Sequence, residues 1–362
     1  MLKPREAVRT LPSYHPPLAG RNGLRLDFNE NTAGCSPRVM AKLRSMNPEQ
    51  LAKYPEREPV EATAADFLNV KPAELLLTNG VDEAIHLLCE TYLEPGEEAL
   101  VVVPTYSMYR IYVMAAGAQL VNVPLGKDFQ FSAENVINHI TTRTRLIAIA
   151  NPNNPTGTVA DADQLLQIAR SAPQAALLVD EAYYEFYGKT MLGSWNACPN
   201  TFVTRTFSKA YGLAGLRLGA LMGDEEQMRA VRRVSSPYNV NAVALACLPA
   251  AIADQAYIGQ YVEEVLETRA ALENALRANG IHFWPSQANF VLARVGSLKE
   301  EAARFVEQMR RRGILVRDRS SDHGCEGCVR ITCGPREHAG RLLQALSEVC
   351  KDLAVTQGVS RI

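Results

Sequence analysis

The stretch TRTFSKAYGLAGLRLG, from Thr204 to Gly219, carries the strongest signal for how this chain folds and what it binds. Lys209 directly follows Ser208 and stands eight positions before Arg217, among small residues that let the backbone approach a ligand closely. An amine in a dry pocket can lose its proton and form a Schiff base with an aldehyde, while a hydroxyl and a guanidinium hold a phosphate. Pyridoxal phosphate carries both groups. The alternative is a surface loop with a solvated lysine.

Composition and charge narrow the class of protein. The chain has 362 residues, of which 47% are hydrophobic and 21% charged, so it can bury a large core, and two unequal domains are expected. The 38 Lys and Arg residues nearly balance the 39 Asp and Glu residues, which disfavours nucleic-acid and membrane partners and favours a small-molecule substrate. The sequence has no apolar segment of the signal-peptide or membrane-spanning kind, so we expect a cytoplasmic protein.

Eight cysteines are too sparse in a chain of this length for a disulfide scaffold, and we expect reduced thiols. One segment, DHGCEGCVRITC, contains His323, Cys325, Cys328 and Cys333 and raises the alternative of a zinc site. If residues 329–333 form a strand, Cys333 lies on one face and Cys328 on the other, so these thiols do not easily complete one tetrahedron. The pattern favours a glycine-containing turn that leads into a strand, and no metal site is predicted.

The hydrophobic pattern predicts an α/β fold, with a mostly parallel sheet flanked by helices in a large domain and a smaller α+β domain after it. Residues 1–33 are predicted to form an N-terminal arm, 34–250 the large cofactor-binding domain and 251–362 the small C-terminal domain. The large domain is predicted to contain seven strands, in ELLLTNG, EALVVVP, QLVNV, RLIAIANP, ALLVDEA, TFVTRTF and LRLGALMG. After long helical stretches over 242–279, the C-terminal part is predicted to contain strands in FVLARV, ILVRD and CVRITC and helices over 298–312 and 335–353.

In parallel sheets, ligands bind beyond the carboxyl ends of the strands, so polar residues that directly follow the apolar segments are candidate site residues. Gly80, Val81 and Asp82 follow ELLL at the start of a helix whose free backbone amides can bind phosphate. Tyr106 follows ALVVV and can stack on a planar heterocycle. Taken alone, these residues also fit a plain helix cap and a core tyrosine.

Two further strand ends carry more specific signals. Asn154 lies in NPNNPTG, a loop in which prolines fix the backbone so that the amide can reach a phenolic oxygen. Asp180 follows ALLV, and Tyr183 comes three residues later. A carboxylate at this position needs a cationic partner, and a protonated pyridine nitrogen is such a partner. An ionised Asp180 would keep that ring an electron sink, whereas a helix-capping aspartate is the alternative.

In order and spacing, these residues resemble the fold-type I pyridoxal-phosphate-dependent aminotransferases of the class I/II superfamily, and the histidinol-phosphate group within it, over nearly the whole chain. The resemblance implies that Lys209 bonds covalently to the cofactor and moves the substrate proton. It places Asp180 at the pyridine nitrogen and Tyr183 at the phenolic oxygen. The other cofactor contacts that it implies are Gly80, Val81, Asp82, Tyr106, Asn154, Ser208 and Arg217 from the same chain, and Tyr54 from a neighbouring subunit.

Substrate recognition is expected near the other end of the chain. Arg330 alternates with apolar residues in VRIT, so its guanidinium is expected to face away from the core and to bind an acidic group of the substrate. Arg317 lies thirteen residues upstream, where a second guanidinium suits a phosphorylated substrate and a solvated strand-end charge is the alternative. The resemblance adds Tyr14 and Asn29, from an arm that covers the substrate, and implies a homodimer with shared active sites.

The resemblance implies a reversible transamination, in which histidinol phosphate and 2-oxoglutarate give imidazole acetol phosphate and glutamate, as in histidine biosynthesis. Related enzymes with a similar set of motifs act on aromatic amino acids or decarboxylate threonine phosphate, so both alternatives stay open. A non-catalytic regulator that retains the cofactor is disfavoured, because no helix-turn-helix segment or basic region accompanies the motifs.

Overall fold

The computed structural model describes residues 2–9, 11, 20 and 22–359 of the chain, with side chains to residue 353. Tyr14 lies outside the described residues. The strands of the described part are β1 (Leu24–Arg25), β2 (Leu75–Thr78), β3 (Glu98–Val103), β4 (Gln119–Pro124), β5 (Thr144–Ala150), β6 (Ala176–Asp180), β7 (Thr201–Thr206), β8 (Gly219–Gly223), β9 (His282–Trp284), β10 (Phe290–Arg294), β11 (Ile314–Leu315), β12 (Arg317–Asp318) and β13 (Cys328–Thr332). Its α-helices are α1 (Glu6–Arg9), α2 (Pro37–Ser45), α3 (Pro48–Ala52), α4 (Glu58–Leu68), α5 (Gly80–Tyr92), α6 (Met108–Ala116), α7 (Ala133–Ile137), α8 (Ala162–Ser171), α9 (Tyr184–Tyr187), α10 (Glu225–Val234), α11 (Ala242–Ile252), α12 (Gln255–Ala278), α13 (Lys299–Arg311) and α14 (Arg336–Val359).

A seven-stranded sheet forms the centre of the larger part of the protein, in the order β2-β8-β7-β6-β5-β3-β4. Its strands run parallel except β8, which is antiparallel to both β2 and β7. The seven strands predicted for this part are therefore confirmed, and with them the mostly parallel α/β fold. Because helices cover both faces of such a sheet, its strands are nearly continuous apolar segments.

The two faces of this sheet are buried in separate apolar clusters. Along β6, Leu177 and Val179 belong to one cluster and Leu178 to the other, as the alternation of side chains along a strand requires. Helix α5 contributes Ile85 and Leu88 to the cluster of Leu178, while α8 packs on the opposite face. The sheet is thus a rigid support for the polar residues that follow its strands.

A second sheet, of four antiparallel strands in the order β12-β13-β10-β9, lies in the C-terminal part of the chain. The prediction of one strand in ILVRD is wrong, because the segment splits between two sheets. Strand β11 pairs in parallel with β1 of the N-terminal arm, whereas β12 pairs with β13. The pattern of a short apolar segment does not reveal a partner that lies almost the whole chain away.

The long helical stretches predicted over 242–279 are two helices, α11 and α12, with a break at residues 253–254 whose position was not predicted. At the break the Asp254 carboxylate accepts a hydrogen bond from the Ser36 hydroxyl. Strand β9 was not predicted. The domain boundary predicted at residue 250 falls within α11, and the division into arm, large domain and small domain stays a prediction.

Within the described residues, no single helix is both long and apolar enough to cross a bilayer. Helices α11 and α12, which are bent by 81° at their break, meet the length and composition criteria only as a pair.

Gly157 joins the loop after β5 to the C-terminal part, and its replacement tests that junction. Its φ is +73°, and an added Cβ would lie 2.6 Å from Ser286 Cβ and 2.9 Å from Ser286 Cα. Gly188, with φ +80° and open space around it, is a matched control. We expect Gly188→Ala to lower the free energy of unfolding by about 1 kcal/mol through the backbone alone. Gly157→Ala should cost roughly 1–3 kcal/mol more, because the clash adds to the backbone strain.

Urea denaturation of the two variants beside the wild type measures both costs. An equal loss of stability in Gly157→Ala and Gly188→Ala would mean that the junction relaxes freely around the added methyl group.

Candidate active site

Lys209 lies in the turn between β7 and β8, with its amine buried beneath the N-terminal arm. Its Nζ donates a hydrogen bond to the carbonyl oxygen of Phe28 at 3.1 Å and lies 5.9 Å from the centre of the Tyr183 ring. Burial, and then the nearby Arg330 guanidinium, lower the pKa of this amine from its ordinary 10.5 to about 8. A lysine with this pKa has an appreciable neutral, nucleophilic fraction near neutral pH.

Asp180 ends β6 on the same edge of the sheet and is buried. Its carboxylate accepts hydrogen bonds from the Tyr109 hydroxyl at 2.5 Å, the Thr204 hydroxyl at 3.1 Å and the Ala182 amide at 3.1 Å. Burial nevertheless raises the pKa of Asp180 above its ordinary value, against the lowering effect of these bonds. A buried carboxylate held by neutral donors would be stabilised further by a cation, which is the property predicted for this residue.

Tyr109 is a site residue that the sequence reasoning missed. It is fully buried, and burial with the neighbouring Asp180 raises the pKa of its hydroxyl, so it stays protonated and acts as a donor. It stands three residues after Tyr106, and the two rings meet edge to face at 6.0 Å. The spacing of one helical turn between two tyrosines was the available signal.

Tyr183 and Asn29 connect the Asp180 side of the site to the arm. The Asn29 side-chain amide donates to the Tyr183 hydroxyl at 2.9 Å, and the Asn29 carbonyl side accepts from the Thr332 hydroxyl at 2.9 Å. Asn29 adopts a left-handed backbone conformation, with φ +55°, which asparagine tolerates better than most residues. Asn29 therefore connects the segment that follows β6 to strand β13. This residue, which was predicted to belong to the site, lies where the ends of the two sheets meet.

The N-terminus of α5 and Arg217 form the candidate phosphate end of the site. Gly80 has φ +75°, and an added Cβ would lie 2.6 Å from Arg217 Nη2, so only glycine allows the guanidinium to approach the helix. The Asp82 carboxylate accepts from Arg217 at 2.9 Å and from the Tyr106 hydroxyl at 2.8 Å. Val81 and Asp82 follow Gly80 in the first turn, where backbone amides have no partner within the helix.

Ser208 is buried at the start of the Lys209 turn, and an open cavity of about 560 Å³ adjoins it. Gly212, Ala214 and Gly215 line one wall of the cavity, and Glu30 with its neighbours lines another. The donor set therefore fits pyridoxal phosphate: an amine for the aldehyde, a buried carboxylate for the ring nitrogen, and a guanidinium, a hydroxyl and helix amides for the phosphate.

Arg330 lies on the face of β13 opposite to Val329 and Ile331, as the alternation predicts, but that face is covered and not open to solvent. It lies on β13 with only 5% of its surface exposed, because the loop after β5 and the arm pack against this face of the small sheet. Its Nη1 donates to Asn154 Oδ1 at 2.5 Å and its Nη2 to the Asp27 carbonyl at 2.7 Å. Burial, then the neighbouring Arg319, lower the pKa of Arg330 to about 9, so it remains charged at neutral pH.

Two more arginines stand close to Arg330. Arg317 lies directly opposite it in the β12–β13 register, with its guanidinium 5.2 Å from the centre of the Phe28 ring. Arg319, which sequence reasoning missed, pairs with the Asp322 carboxylate. Within the described residues, the Nε groups of Arg319 and Arg330 are buried without a hydrogen-bond partner. The second arginine of the segment RDR was the signal that was overlooked, and the three arginines suit an anionic ligand.

One predicted site residue within the described part of the chain, Tyr54, does not join this group of side chains. Tyr54 is 77% exposed and stacks on Tyr238, with ring centres 4.3 Å apart. Tyr14 lies outside the described residues. Every other residue predicted for the site lies at the strand ends, in the arm or on the β12–β13 pair, as described above.

The cysteines are free thiols, and six of the eight are buried. Among the residues that the structure describes, no three His, Cys, Asp or Glu side chains are grouped as ligands for a metal ion. Cys325 and Cys328 are close neighbours within one turn.

The buried amine of Lys209 gives a stability prediction for the cofactor-free protein. Because its pKa is about 8 in the fold and about 10.5 in an unfolded chain, the unfolded state binds the proton more tightly between these values. Stability contributed by this residue is therefore lowest below pH 8 and recovers as the pH rises towards 10.5. We expect Lys209→Met to be more stable than the wild type at pH 7, with a gap that closes over that range.

Urea denaturation at several pH values measures the gap, and Lys189→Met, which changes the same side chain at an exposed position, is the control. A gap of the same size at pH 7 and pH 10 would contradict the lowered pKa of Lys209.

Known aminotransferases are similar to this chain over most of its length. In an alignment of 364 positions, the chain is 34% identical to the histidinol-phosphate aminotransferase of a Geobacillus species. The alignment covers 95% of this chain and 97% of that protein. It is 37% identical to the histidinol-phosphate aminotransferase of Paracoccus denitrificans over 338 residues, which cover 92% and 91% of the two chains.

A solved structure supports the same relationship. The histidinol-phosphate aminotransferase from Sinorhizobium meliloti in complex with pyridoxal-5'-phosphate has a TM-score of 0.88 and 26% identity to this chain, and the match covers 98% of this chain and 99% of that one. Residues 21–346 match the sequence model of the family described as aminotransferase class I and II. With nine-tenths of its length matched and its lysine turn at the end of a parallel sheet, this chain belongs to the aminotransferase class I and II family.

Proposed function

We propose that this chain transfers an amino group reversibly between histidinol phosphate and 2-oxoglutarate, to give imidazole acetol phosphate and glutamate, with pyridoxal phosphate as cofactor. The relatives at 34% and 37% identity carry this activity in their names. The observation that carries the proposal is the arginine pair next to the lysine: Arg330 is buried beside Lys209, and Arg317 stands opposite it in register. Two guanidiniums suit a phosphate ester as ligand better than they suit a single carboxylate.

The residues proposed to hold the cofactor lie at the strand ends of the large sheet. Asp180 is proposed to meet the ring nitrogen, Tyr183 and the Asn154 amide the phenolic oxygen, and the Tyr106 ring the face of the heterocycle. Ser208, Arg217 and the amides at the start of α5, from Gly80 to Asp82, are proposed to hold the phosphate. The support is the donor chemistry at each position and the glycine that brings Arg217 to the helix.

Pyridoxal phosphate, when bound, supplies an aldehyde that bonds to amines and an aromatic ring that accepts the electron pair left behind by a departing proton. Lys209 is proposed to take up that proton at the substrate Cα and to return it. Its pKa of about 8 supports this role, because a general base works best when its pKa lies near the working pH. Tyr109, Thr204 and the Ala182 amide keep the Asp180 carboxylate in place and in its accepting form.

Arg330 and Arg317 are proposed to select the acidic group of the substrate. Arg330 is fixed from both sides, by Asn154 and by the Asp27 carbonyl, so its position costs little further ordering when a ligand binds. Burial strengthens its interaction with an anion, since water screens the charge less. Asn29, and Tyr14 outside the described residues, are proposed to complete the substrate side.

We also propose that the protein is a homodimer with shared active sites, in which Tyr54 reaches the cofactor phosphate of the neighbouring subunit. The support is a group of exposed apolar side chains, with Leu51 59%, Tyr54 77% and Tyr238 55% accessible. Such side chains are usually covered by a partner. A cytoplasmic location is proposed, supported by cysteines that are all free thiols.

The substrate can be tested with a panel of amino donors and acceptors. We expect amino transfer from histidinol phosphate to be far faster than from phenylalanine or tyrosine, and no release of carbon dioxide from threonine phosphate. A preference for aromatic amino acids, or carbon dioxide release, would instead support one of the two alternative activities. Holoenzyme absorbance, followed on addition of glutamate alone, first shows whether the cofactor site is active.

Arg317→Ala tests the phosphate-selecting role on the same panel. Losing one guanidinium on a phosphate should reduce kcat/KM for histidinol phosphate by roughly 10- to 100-fold, equivalent to about 1.5–3 kcal/mol for charged hydrogen bonds. The glutamate half-reaction should change far less. An equal loss with both substrates would remove the case for a phosphate-selecting Arg317, and the exposed Arg294→Ala serves as a control arginine.

The shared site can be tested by mixing two inactive variants. In a hybrid of Lys209→Ala and Tyr54→Ala chains, one of the two sites would combine an intact lysine with an intact tyrosine. Random exchange of subunits should then restore about a quarter of the wild-type activity, since half of the dimers are hybrids with one working site each. Mixing Lys209→Ala with Asp180→Ala is the matched control, because both residues lie in the same chain's site and no recovery is expected. Equal activity in both mixtures would exclude sharing through Tyr54.

A further inference from the structure

The CEGC segment before β13 is not used by the proposed reaction. The Cys328 amide donates to the Cys325 carbonyl at 2.9 Å, which closes a four-residue turn with the two cysteines at its first and last positions. Turns of this kind hold their terminal Cα atoms less than about 7 Å apart, within the range that a disulfide spans. The Cys328 thiol donates to the Glu326 carbonyl at 3.8 Å, within the same turn.

The surrounding contacts hold this turn in one conformation. Gly327 has φ +70°, and an added Cβ would lie 2.5 Å from the carbonyl carbon of Gly296, so the turn is pressed against the neighbouring loop. The Val295 amide donates to the Gly327 carbonyl at 2.9 Å, and the Arg319 amide donates to the Cys328 carbonyl at 3.0 Å. The two cysteines are therefore preorganised for a reaction between them.

The environment of the two sulfurs differs. The neighbouring Cys325 thiol, and then the Arg294 guanidinium, lower the pKa of Cys328, while burial acts in the opposite direction. Arg294 is held over the turn by donating to the Gly324 carbonyl at 3.2 Å. The Cys328 thiol, and then burial, raise the pKa of Cys325. Cys328 is thus the better nucleophile of the pair.

We propose that Cys325 and Cys328 are a redox modification site, at which a small hydroperoxide converts the two thiols reversibly to a disulfide across the turn. Both cysteines are buried under the exposed Glu326, which favours a small oxidant over a bulky disulfide and makes the reaction depend on local opening of the turn. This inference does not rest on the proposed amino transfer.

The reaction balances with hydrogen peroxide as the oxidant. The Cys328 thiolate attacks one peroxide oxygen, the O–O bond breaks, and hydroxide leaves and is protonated to water. The Cys325 sulfur then attacks the oxidised Cys328 sulfur, the S–O bond breaks, and a second water leaves with the Cys325 proton. Two thiols and one peroxide give one disulfide and two waters, and a small dithiol reverses the change by exchange.

Trypsin makes the test direct, because cleavage after Arg319 and Arg330 releases both cysteines in one peptide, SSDHGCEGCVR. The holoenzyme is treated with graded hydrogen peroxide, quenched, alkylated in denaturant and digested. We expect this peptide to lose two hydrogens and both alkylation sites in proportion to the dose, and to regain them after dithiothreitol. Peptides with the buried Cys89 and Cys333 are internal references that should stay fully alkylated.

Two variants identify the attacking thiol. Cys325→Ser should leave a Cys328 that peroxide oxidises to the sulfenic acid, whereas Cys328→Ser should leave an unreactive Cys325. Arg294→Met should slow disulfide formation by roughly threefold for each unit by which the pKa of Cys328 rises. A peptide that keeps both alkylation sites at doses that oxidise Cys89, or that proceeds only to irreversible sulfonic acid, would overturn the proposal.

Discussion

Three consecutive residues of the arm hold the site together. The Asp27 carbonyl accepts from Arg330, the Phe28 carbonyl accepts from Lys209, and the Asn29 amide donates to Tyr183. Each bond joins the arm to a different element, so one short segment fixes the separation of two buried cations and a buried phenol. Because burial and then the Arg330 guanidinium lower the pKa of Lys209, this placement destabilises the charged amine unless backbone oxygens compensate it.

The apolar core around the large sheet stabilises the fold against the unfavourable free energy of these buried charges. Its strands are apolar on both faces and its two clusters are continuous, so the strand ends keep their positions even where the side chains beyond them are strained or charged. The left-handed conformations of Asn29 and Arg217 occur at such positions. Backbone strain of this kind persists only where the surroundings over-determine it, and at Asn29 and Arg217 it adjoins the candidate site.

Much of this arrangement follows from local sequence. The strands of the large sheet are apolar segments bounded by polar residues, and the rule that ligands bind at carboxyl ends leads directly to Gly80, Tyr106, Asn154 and Asp180. What escaped prediction depends on distant partners. Tyr109 reaches Asp180 from a helix, the carbonyls of the arm carry no side-chain signal, and Arg330 is buried because another part of the chain covers it. An alternation pattern in a strand tells only which residues share a face, and not whether that face is covered.

The residues proposed to hold the cofactor follow strands of the large sheet, whereas the arginines proposed to bind the substrate lie on the small sheet. This separation explains why the cofactor residues identify a family, while the identity of the substrate depends on the arginines. The large sheet presents the lysine and the carboxylate, whereas the β12–β13 pair presents the arginines. Substitutions on that short pair can change which acid is accepted without moving the strands that support Lys209.

The small sheet is connected to the loop that follows β5 of the large sheet by the 2.5 Å hydrogen bond from Arg330 to Asn154. The side-chain oxygen of Asn154 is the atom that Arg330 engages, and its NH₂ is the group proposed to donate to the phenolic oxygen of the cofactor. A single amide thus connects the guanidinium proposed to bind the substrate acid with the proposed cofactor contact, so a shift of Arg330 would also displace that contact.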